Sequence, residues 1–488
     1  MYSLHDNYPI QSGEPISTGP PARGAQSTHQ PHQVLKPWRA WSAKDTASIH
    51  ARRKYLRAFI KGLVCVVVAL YAVFSIFWGA LWKLPMQPLD GIIVDLDGGV
   101  IGLNVTIAII ALSNDYVRWS YVSVLEYPGG ASDVAQAILD EQAWIAIVVN
   151  PGASETLNTA LLTPDPNYNG SEAITVYVSE GRQESAYRNF IRPQTVLMLD
   201  NVTATFAFQL AQEISGDVNV PAILAASPQT IVQPIYYTIN NMRPFHQPVA
   251  TAATFVGLIY LLILSYFVVM IGYGARDDSG LDKTLRLKSL IKLRFISTFS
   301  AYFFVSLFYS LLNKVFHLET DMTFGHAGFL VLWMLNWVGM LSVGLALEAL
   351  ITILKPKWVP FFMFLWIILN NSVCMNPIEI LPGIYRYGYA APFYNISRAV
   401  RTIALGTKND VPLNFSILFV WIILSCITMP LLQWYKRDRD IRYGRLGRKV
   451  ERDSKGIFGD GGIAMEGVRE DAGDEKEKLG FTRVRPGQ

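Results

Sequence analysis

Six long apolar runs, separated by short clusters of charge, leave this chain few ways to fold. They cover residues 58–82, 249–273, 295–312, 327–354, 358–375 and 415–434. Each reaches or approaches the roughly 20 residues a helix needs to cross a bilayer's hydrocarbon core. The fifth carries Asn370 and Asn371. Inside lipid every backbone N–H and C=O must be satisfied within the protein, so such runs are read as helices. The 51% apolar content of the 488 residues is an average over these runs and the charged segments between them. The fold expected is an α-helical polytopic membrane protein with six transmembrane helices.

The cations set an orientation. Arg276, Lys283, Arg286, Lys288, Lys292 and Arg294 fall between the second and third runs, and Lys355 and Lys357 between the fourth and fifth. Lys436, Arg437, Arg439, Arg442, Arg445, Arg448 and Lys449 follow the sixth. With six crossings these segments share one side with the N-terminus, and the positive-inside rule makes that side cytoplasmic. Both termini are then cytoplasmic. The N-x-[ST] sequons at Asn104, Asn169, Asn201 and Asn395 lie on the opposite side and are the candidate glycosylation sites.

Outside the spans the chain divides by composition. Residues 1–43 are rich in Pro, Ser, Gly, Gln and His and read as a disordered cytoplasmic arm. Residues 44–57, with Arg52, Arg53, Lys54 and Arg57 among apolar positions, read as a basic interfacial helix preceding the first span at 58–82. Residues 83–248 alternate strand-like and helix-like pieces and read as an extracellular mixed α/β domain. Its strands are expected at 91–96, 119–125, 144–149, 175–179 and 230–239, and its helices at 132–142 and 184–214. Cys65, Cys374 and Cys426 all lie in apolar runs, so this domain must fold on a packed core without disulfides. Residues 435–488 form the cytoplasmic tail.

No catalytic set is present: the chain has no GxxxxGK[ST] loop, GxSxG elbow or HExxH helix. No enzyme activity, cofactor or metal is expected. Asp95 and Asp97 before Gly98 offer too few oxygens for calcium and suit a strand-end turn in which Asp97 bonds its own backbone. The net charge of +4 makes no case for nucleic acid.

Glu348 is the acidic residue inside a predicted span, which marks a pathway, a partner or a proton relay, or else a carboxylate snorkelling to the cytoplasmic end. Residues 376–394 are too polar to span and too aromatic for a plain loop. They read as a re-entrant or interfacial hairpin, or a simple structured loop, with Glu379, Tyr385 and Arg386 as candidate pathway residues and Glu379 as a partner for Arg386.

The run Pro377, Glu379, Leu381-Pro382, Tyr385 to Ala390, Pro392 and Tyr394-Asn395 resembles the fungal nitrosoguanidine-resistance protein family. So do Val94 to Gly98 and Trp144 to Ser154, and the resemblance covers about residues 59–434. That family is similar in architecture to the permease subunits of type-2 ABC exporters, and Pro392, Tyr394, Arg398, Arg401 and Gly406 match the stretch that ends the hairpin there. The resemblance implies a plasma-membrane protein of drug and xenobiotic resistance that transports amphipathic compounds or alters the bilayer, without a nucleotide-binding domain. A membrane-anchored scaffold or regulator, its extracellular domain binding a partner, is the alternative. The expected partners are the lipid bilayer and amphipathic small molecules, with a homo-oligomer left open.

Overall fold

The computed structural model describes residues 41, 46–216, 219–354 and 356–457. The arm expected over 1–43, Trp41 excepted, and the tail beyond Ile457 lie outside the described residues. The chain divides into two compact units, residues 1–66 and 67–488.

The described part of the first unit is helical. Helix α1 (Thr46–Ala69) runs without interruption through the boundary expected at residue 57. The basic stretch and the start of the first apolar run therefore lie in one continuous helix. It holds no proline, and a Cβ added at its single glycine, Gly62, would meet nothing within 4 Å. Trp41 meets Tyr55 edge-on at 5.8 Å, and Tyr55 stacks on Phe59 at 5.9 Å.

In the second unit a π-helical turn, Leu70–Phe74, leads into α2 (Ser75–Leu81). The α/β domain follows: β1 (Leu89–Asp95), α3 (Val100–Ala111), β2 (Val117–Tyr121), α4 (Ala131–Leu139), β3 (Ile145–Val149), α5 (Ala153–Leu162), β4 (Ile174–Val178), α6 (Arg192–Glu213) and β5 (Tyr237–Asn241). The sheet order is β2-β1-β3-β4-β5, parallel except where β3 meets β4. Side chains alternate between its faces as the period of two requires. Ile93, Ile145, Ile147, Val149 and Val176 pack under α3, α5 and α6. Ile92, Val94, Ala146 and Val148 pack against Val134 and Ile138 of α4. Both faces are thus covered, which is why β3 reads as an unbroken apolar run.

Helices α3 and α5 start beside each other at the carboxyl ends of β1 and β3, and Asp97 ties them together. Its Oδ2 accepts from Gly99 N at 3.2 Å, Gly102 N at 3.3 Å and Ser154 Oγ at 2.5 Å, and its Oδ1 accepts from Ser154 N at 2.9 Å. Asp95 Oδ1 accepts from Asp97 N and Gly98 N, both at 3.0 Å. Both carboxylates therefore serve the local backbone, and Asp97 reaches further than the expected turn. Burial pushes the Asp97 carboxyl up, but the hydrogen bonds from Ser154, Gly102 and Gly99 prevail and hold it below its ordinary value. A helix N-terminus attracts anions, and here the chain's own carboxylate takes that place. Among the described residues no group of three or more His, Cys, Asp or Glu is placed to hold a metal ion.

The longer helices that follow are α7 (Gly257–Asp278), α8 (Leu287–Val315), α9 (Gly328–Leu350), α10 (Val359–Asn371), α11 (Pro392–Leu405) and α12 (Val411–Ile457). Among the described residues five helices are long and apolar enough to cross a membrane: Ser48–Leu81, Ala252–Asp278, Leu287–Val315, Gly325–Leu350 and Val411–Gly444. The expected full span at 358–375 is not among them. Its 13-residue helix α10 is about 20 Å long, short of a hydrocarbon core about 30 Å thick. Helix α9 is the bundle's centre, buried at nearly every position from Val338 to Ala349. Small residues let its neighbours close on it: a Cβ at Gly344 would stand 2.2 Å from Tyr302 Oη. That hydroxyl donates to Ser265 O of α7 at 3.2 Å, so one buried tyrosine of α8 joins three helices.

Candidate functional site

Two groups of buried ions sit at opposite ends of α7. At the end of α7 near Arg276, Glu348 of α9 is 1% exposed. Its Oε1 lies 2.7 Å from Arg294 Nε and 3.0 Å from Arg276 Nη2. Arg294 also donates to Glu348 O at 2.5 Å, to Thr352 Oγ1 at 2.9 Å and to Gln433 Oε1 at 2.5 Å. Asp282 Oδ1 stands 3.6 Å from Arg276 Nε. One carboxylate therefore joins α7, α8 and α9, and Arg294 carries the network to α12. A snorkelling carboxylate would be exposed; this one is buried and enclosed by two guanidiniums.

The other group lies where α11 and the hairpin meet the α/β domain. Cys374, just after α10, is within 3.7 Å of Thr254 O, 22 residues before Arg276 and thus about 33 Å away along a helix. Here Arg398 donates to Glu141 Oε2 at 2.9 Å and to Asp410 Oδ2 at 2.7 Å. Arg401 pairs with Glu184 and donates to Gly181 O at 3.2 Å. Arg182 lies over the Trp144 ring at 3.5 Å and 3.6 Å from Glu141. Glu141 holds a left-handed backbone, φ 61°, at the end of α4, and its carboxylate faces both arginines. A non-glycine residue there is uncommon and marks a position fixed by its surroundings. Burial pushes the Glu184 carboxyl up, but the charge and hydrogen bond of Arg401 outweigh it and hold it below its ordinary value. Burial pulls the Arg182 guanidinium down, against the pull of Glu141 and Glu379.

The expected hairpin is two short 3₁₀ segments, Ile378–Ile380 and Gly383–Ala390, running into α11. Prolines 377, 382 and 392 each precede or open one of these pieces, where a missing N–H costs least. Neighbouring side chains supply the hydrogen bonds that the irregular backbone lacks. Gln183 Nε2 and Ser185 Oγ donate to Met375 O at 2.7 and 2.8 Å, Tyr387 Oη to Leu369 O at 2.8 Å, and Trp421 Nε1 to Ala390 O at 2.8 Å. Such satisfaction is the condition for non-helical chain at membrane depth.

The four pathway candidates are not brought together. Tyr385 is buried, and its hydroxyl donates to Ile76 O at 2.6 Å; a Cβ at Gly79 would stand 2.7 Å from that oxygen. It fastens the hairpin to α2. Glu379 is exposed and borders the arginine group, while Arg386 is exposed on the second 3₁₀ segment. Among the described residues no ion pair joins Glu379 to Arg386, so the expected pairing is not seen. Glu348 belongs to the other group of ions altogether.

Of the sequon asparagines, Asn104, Asn169 and Asn201 are exposed on the α/β domain. Asn395 is not: it is 2% exposed, and its Nδ2 donates to Tyr389 O at 3.0 Å and Ala391 O at 2.9 Å. With its amide enclosed there is no room for a glycan, and it is withdrawn as a site.

The residues that hold both groups together went largely unread in the sequence. Arg276 and Arg294 counted only as orientation signals, and Glu141, Arg182 and Glu184 drew no attention. A usable signal was present in the second group: Arg398 and Arg401 stand three apart in an otherwise uncharged helix.

The family model described as "Protein of unknown function (DUF3533)" matches residues 62–427. An uncharacterized endoplasmic reticulum membrane protein of Saccharomyces cerevisiae is 25% identical over 426 residues, covering 79% of this chain and 81% of that protein. No solved structure matches. Neither description names resistance or transport.

Proposed function

The chain belongs to the DUF3533 family of proteins of unknown function, and we propose that it is a non-enzymatic, permease-like membrane protein that moves amphipathic compounds or alters the bilayer they enter. The observation that carries this reading is the ionic junction of α11 with the α/β domain, through Arg398–Glu141 and Arg401–Glu184. It couples the outer domain to the helical bundle, so that a shift of the spans is passed to the domain.

Six crossings are part of the proposal. The chain leaves α9 at the Glu348 group and reaches Cys374 at the opposite end of α7, so the short α10 and the residues flanking it together cover the distance between. An even number of crossings puts both termini on one side, and the cations around Arg276–Arg294 argue that this side is cytosolic. The α/β domain then faces the lumen or the exterior. The name of the yeast relative favours the endoplasmic reticulum membrane over the plasma membrane as the site of action.

The reading is tested by deleting the gene in its own host and measuring sensitivity to cationic and neutral amphiphiles. Increased sensitivity, restored by the wild-type chain and not by an Arg398→Ala variant present in equal amount, supports it. Unchanged sensitivity across both classes overturns it. One observation favours a scaffold instead: Val100, Leu103 and Ile107 of α3 are 68%, 60% and 58% exposed, an uncovered aliphatic stripe on the outer domain. Loss of a co-purifying partner on Leu103→Glu, with amphiphile sensitivity unaffected, would establish that alternative.

A further inference from the structure

Between α11, the first 3₁₀ segment of the hairpin and the α/β domain lies a cavity of about 20 Å³. Trp144, Arg182, Glu379, Tyr394, Arg398 and Arg401 border it. A space of that size admits roughly one non-hydrogen atom. Arg401 is 3% exposed and spends Nη1 on Glu184 and Gly181 O, while its buried Nε–H has no acceptor. The Arg182 side chain is nine-tenths buried and donates Nη1 to Ala143 O at 3.1 Å. Its Nε–H also lacks an acceptor, since Glu141 stands beyond hydrogen-bond reach at 3.6 Å. Native folds rarely leave a charged donor buried and unpaired, because the cost of desolvating it is then uncompensated.

We propose that this cavity receives one anionic oxygen of a phosphoryl group, held by the Nε–H groups of Arg401 and Arg182, with the rest of the group at the mouth beside Glu379. Guanidinium donors suit phosphoryl oxygens in both charge and direction. The buried acids are already engaged: Glu141 faces Arg398 and Arg182, Glu184 holds Arg401, and Asp410 holds Arg398. Glu379, exposed and without an ion pair among the described residues, decides between two sources of phosphoryl. It repels free phosphate. It attracts the ammonium of a zwitterionic headgroup such as phosphoethanolamine, whose phosphate then reaches the arginines. The inference needs only the geometry of the junction and stands apart from the amphiphile reading.

The test uses the full-length protein in detergent, with the thermal midpoint as readout. Inorganic phosphate, and separately a short-chain phosphoethanolamine lipid, are titrated against chloride of equal ionic strength. A saturable rise with either probe is expected, and the probe that acts identifies the source. Arg182→Lys keeps the charge but removes the Nε–H, and should weaken the acting probe at least tenfold. Glu379→Gln changes an exposed side chain and leaves the fold alone. It should strengthen free phosphate several-fold and weaken the zwitterionic lipid several-fold. Midpoints that follow chloride with both probes would mean that the cavity holds water alone and overturn the proposal. So would a Glu379→Gln protein whose affinity for the acting probe is unchanged.

Discussion

Replacing Glu348 by glutamine removes one negative charge from a place where two guanidiniums are 7% and 3% exposed. The amide oxygen still accepts from Arg294, so shape and one hydrogen bond survive. Arg276 is left with Asp282 at 3.6 Å, and Arg294 with neutral acceptors only. Breaking a buried pair by removing one partner costs about 3–5 kcal/mol, chiefly because the remaining charge is uncompensated. At 1.4 kcal/mol per factor of ten, that shifts the folding equilibrium by about 10² to 4 × 10³-fold. The assay is the midpoint for loss of the monodisperse peak after heating the detergent-purified protein, alongside its abundance in the native membrane. Both should fall together. An Arg276→Met, Arg294→Met, Glu348→Leu triple variant, which removes all three charges, should recover most of the loss. An unchanged midpoint and abundance in Glu348→Gln would refute the stabilising role of the Glu348 ion pairs. If amphiphile resistance disappeared at the same time, the residue would return to a pathway role.

Three further outcomes follow from the geometry. Asp97→Ala takes the acceptor from the starts of α3 and α5 and should destabilise the α/β domain by about 2–3 kcal/mol, read as a lower chemical-denaturation midpoint; an unchanged midpoint would show the two helix starts to be independent of it. Glycosidase treatment should sharpen the electrophoretic band of the wild type through Asn104, Asn169 or Asn201, whereas Asn395→Gln should leave the glycosylated mobility unaltered; a shift in that variant would contradict the buried Asn395. The depressed carboxyl of Glu184 stabilises the junction above its ordinary value of 4.5, and that stability is lost as pH falls through the lower folded value. Protease sensitivity at the junction should therefore rise only below pH 4.5, and Glu184→Gln should remove part of that rise; a wild-type junction that loosens already at pH 6 would speak against the Arg401 pair as its cause.

What the sequence made legible was whatever leaves a local mark. The strand at 144–149 showed through because both its faces are covered, and the long apolar runs because a helix facing lipid must be apolar on its uncovered sides too; each writes an unbroken apolar stretch. Helix α3 did not: Val100–Ala111 carries no charge and no 3.6-residue rhythm, so nothing distinguishes it from a strand or a linker. The last strand was expected over 230–239, yet Gln229–Val232 is a helical turn and pairing begins at Tyr237, because β4 offers partners only from there. The short α10 is bounded by Pro360 in its first turn and by Asn370, whose Oδ1 accepts from Phe393 N at 3.2 Å. Polar residues at that end answer to the hairpin, not to lipid. The candidate site was least legible, since its ion pairs join residues 54, 217 and 257 positions apart. No local pattern records such pairings.

The central claim is that the chain moves amphiphiles or changes how the bilayer admits them, and its most direct test is flux in sealed vesicles containing the purified full-length protein. A fluorescent amphiphile's passage would be followed with no energy source, with ATP, and with a proton gradient, beside empty vesicles and an Arg398→Ala control. The account predicts flux or permeability that differs from empty vesicles, that ATP leaves unaltered, and that the control variant loses. Equal passage in protein-containing and empty vesicles under all three conditions would contradict it.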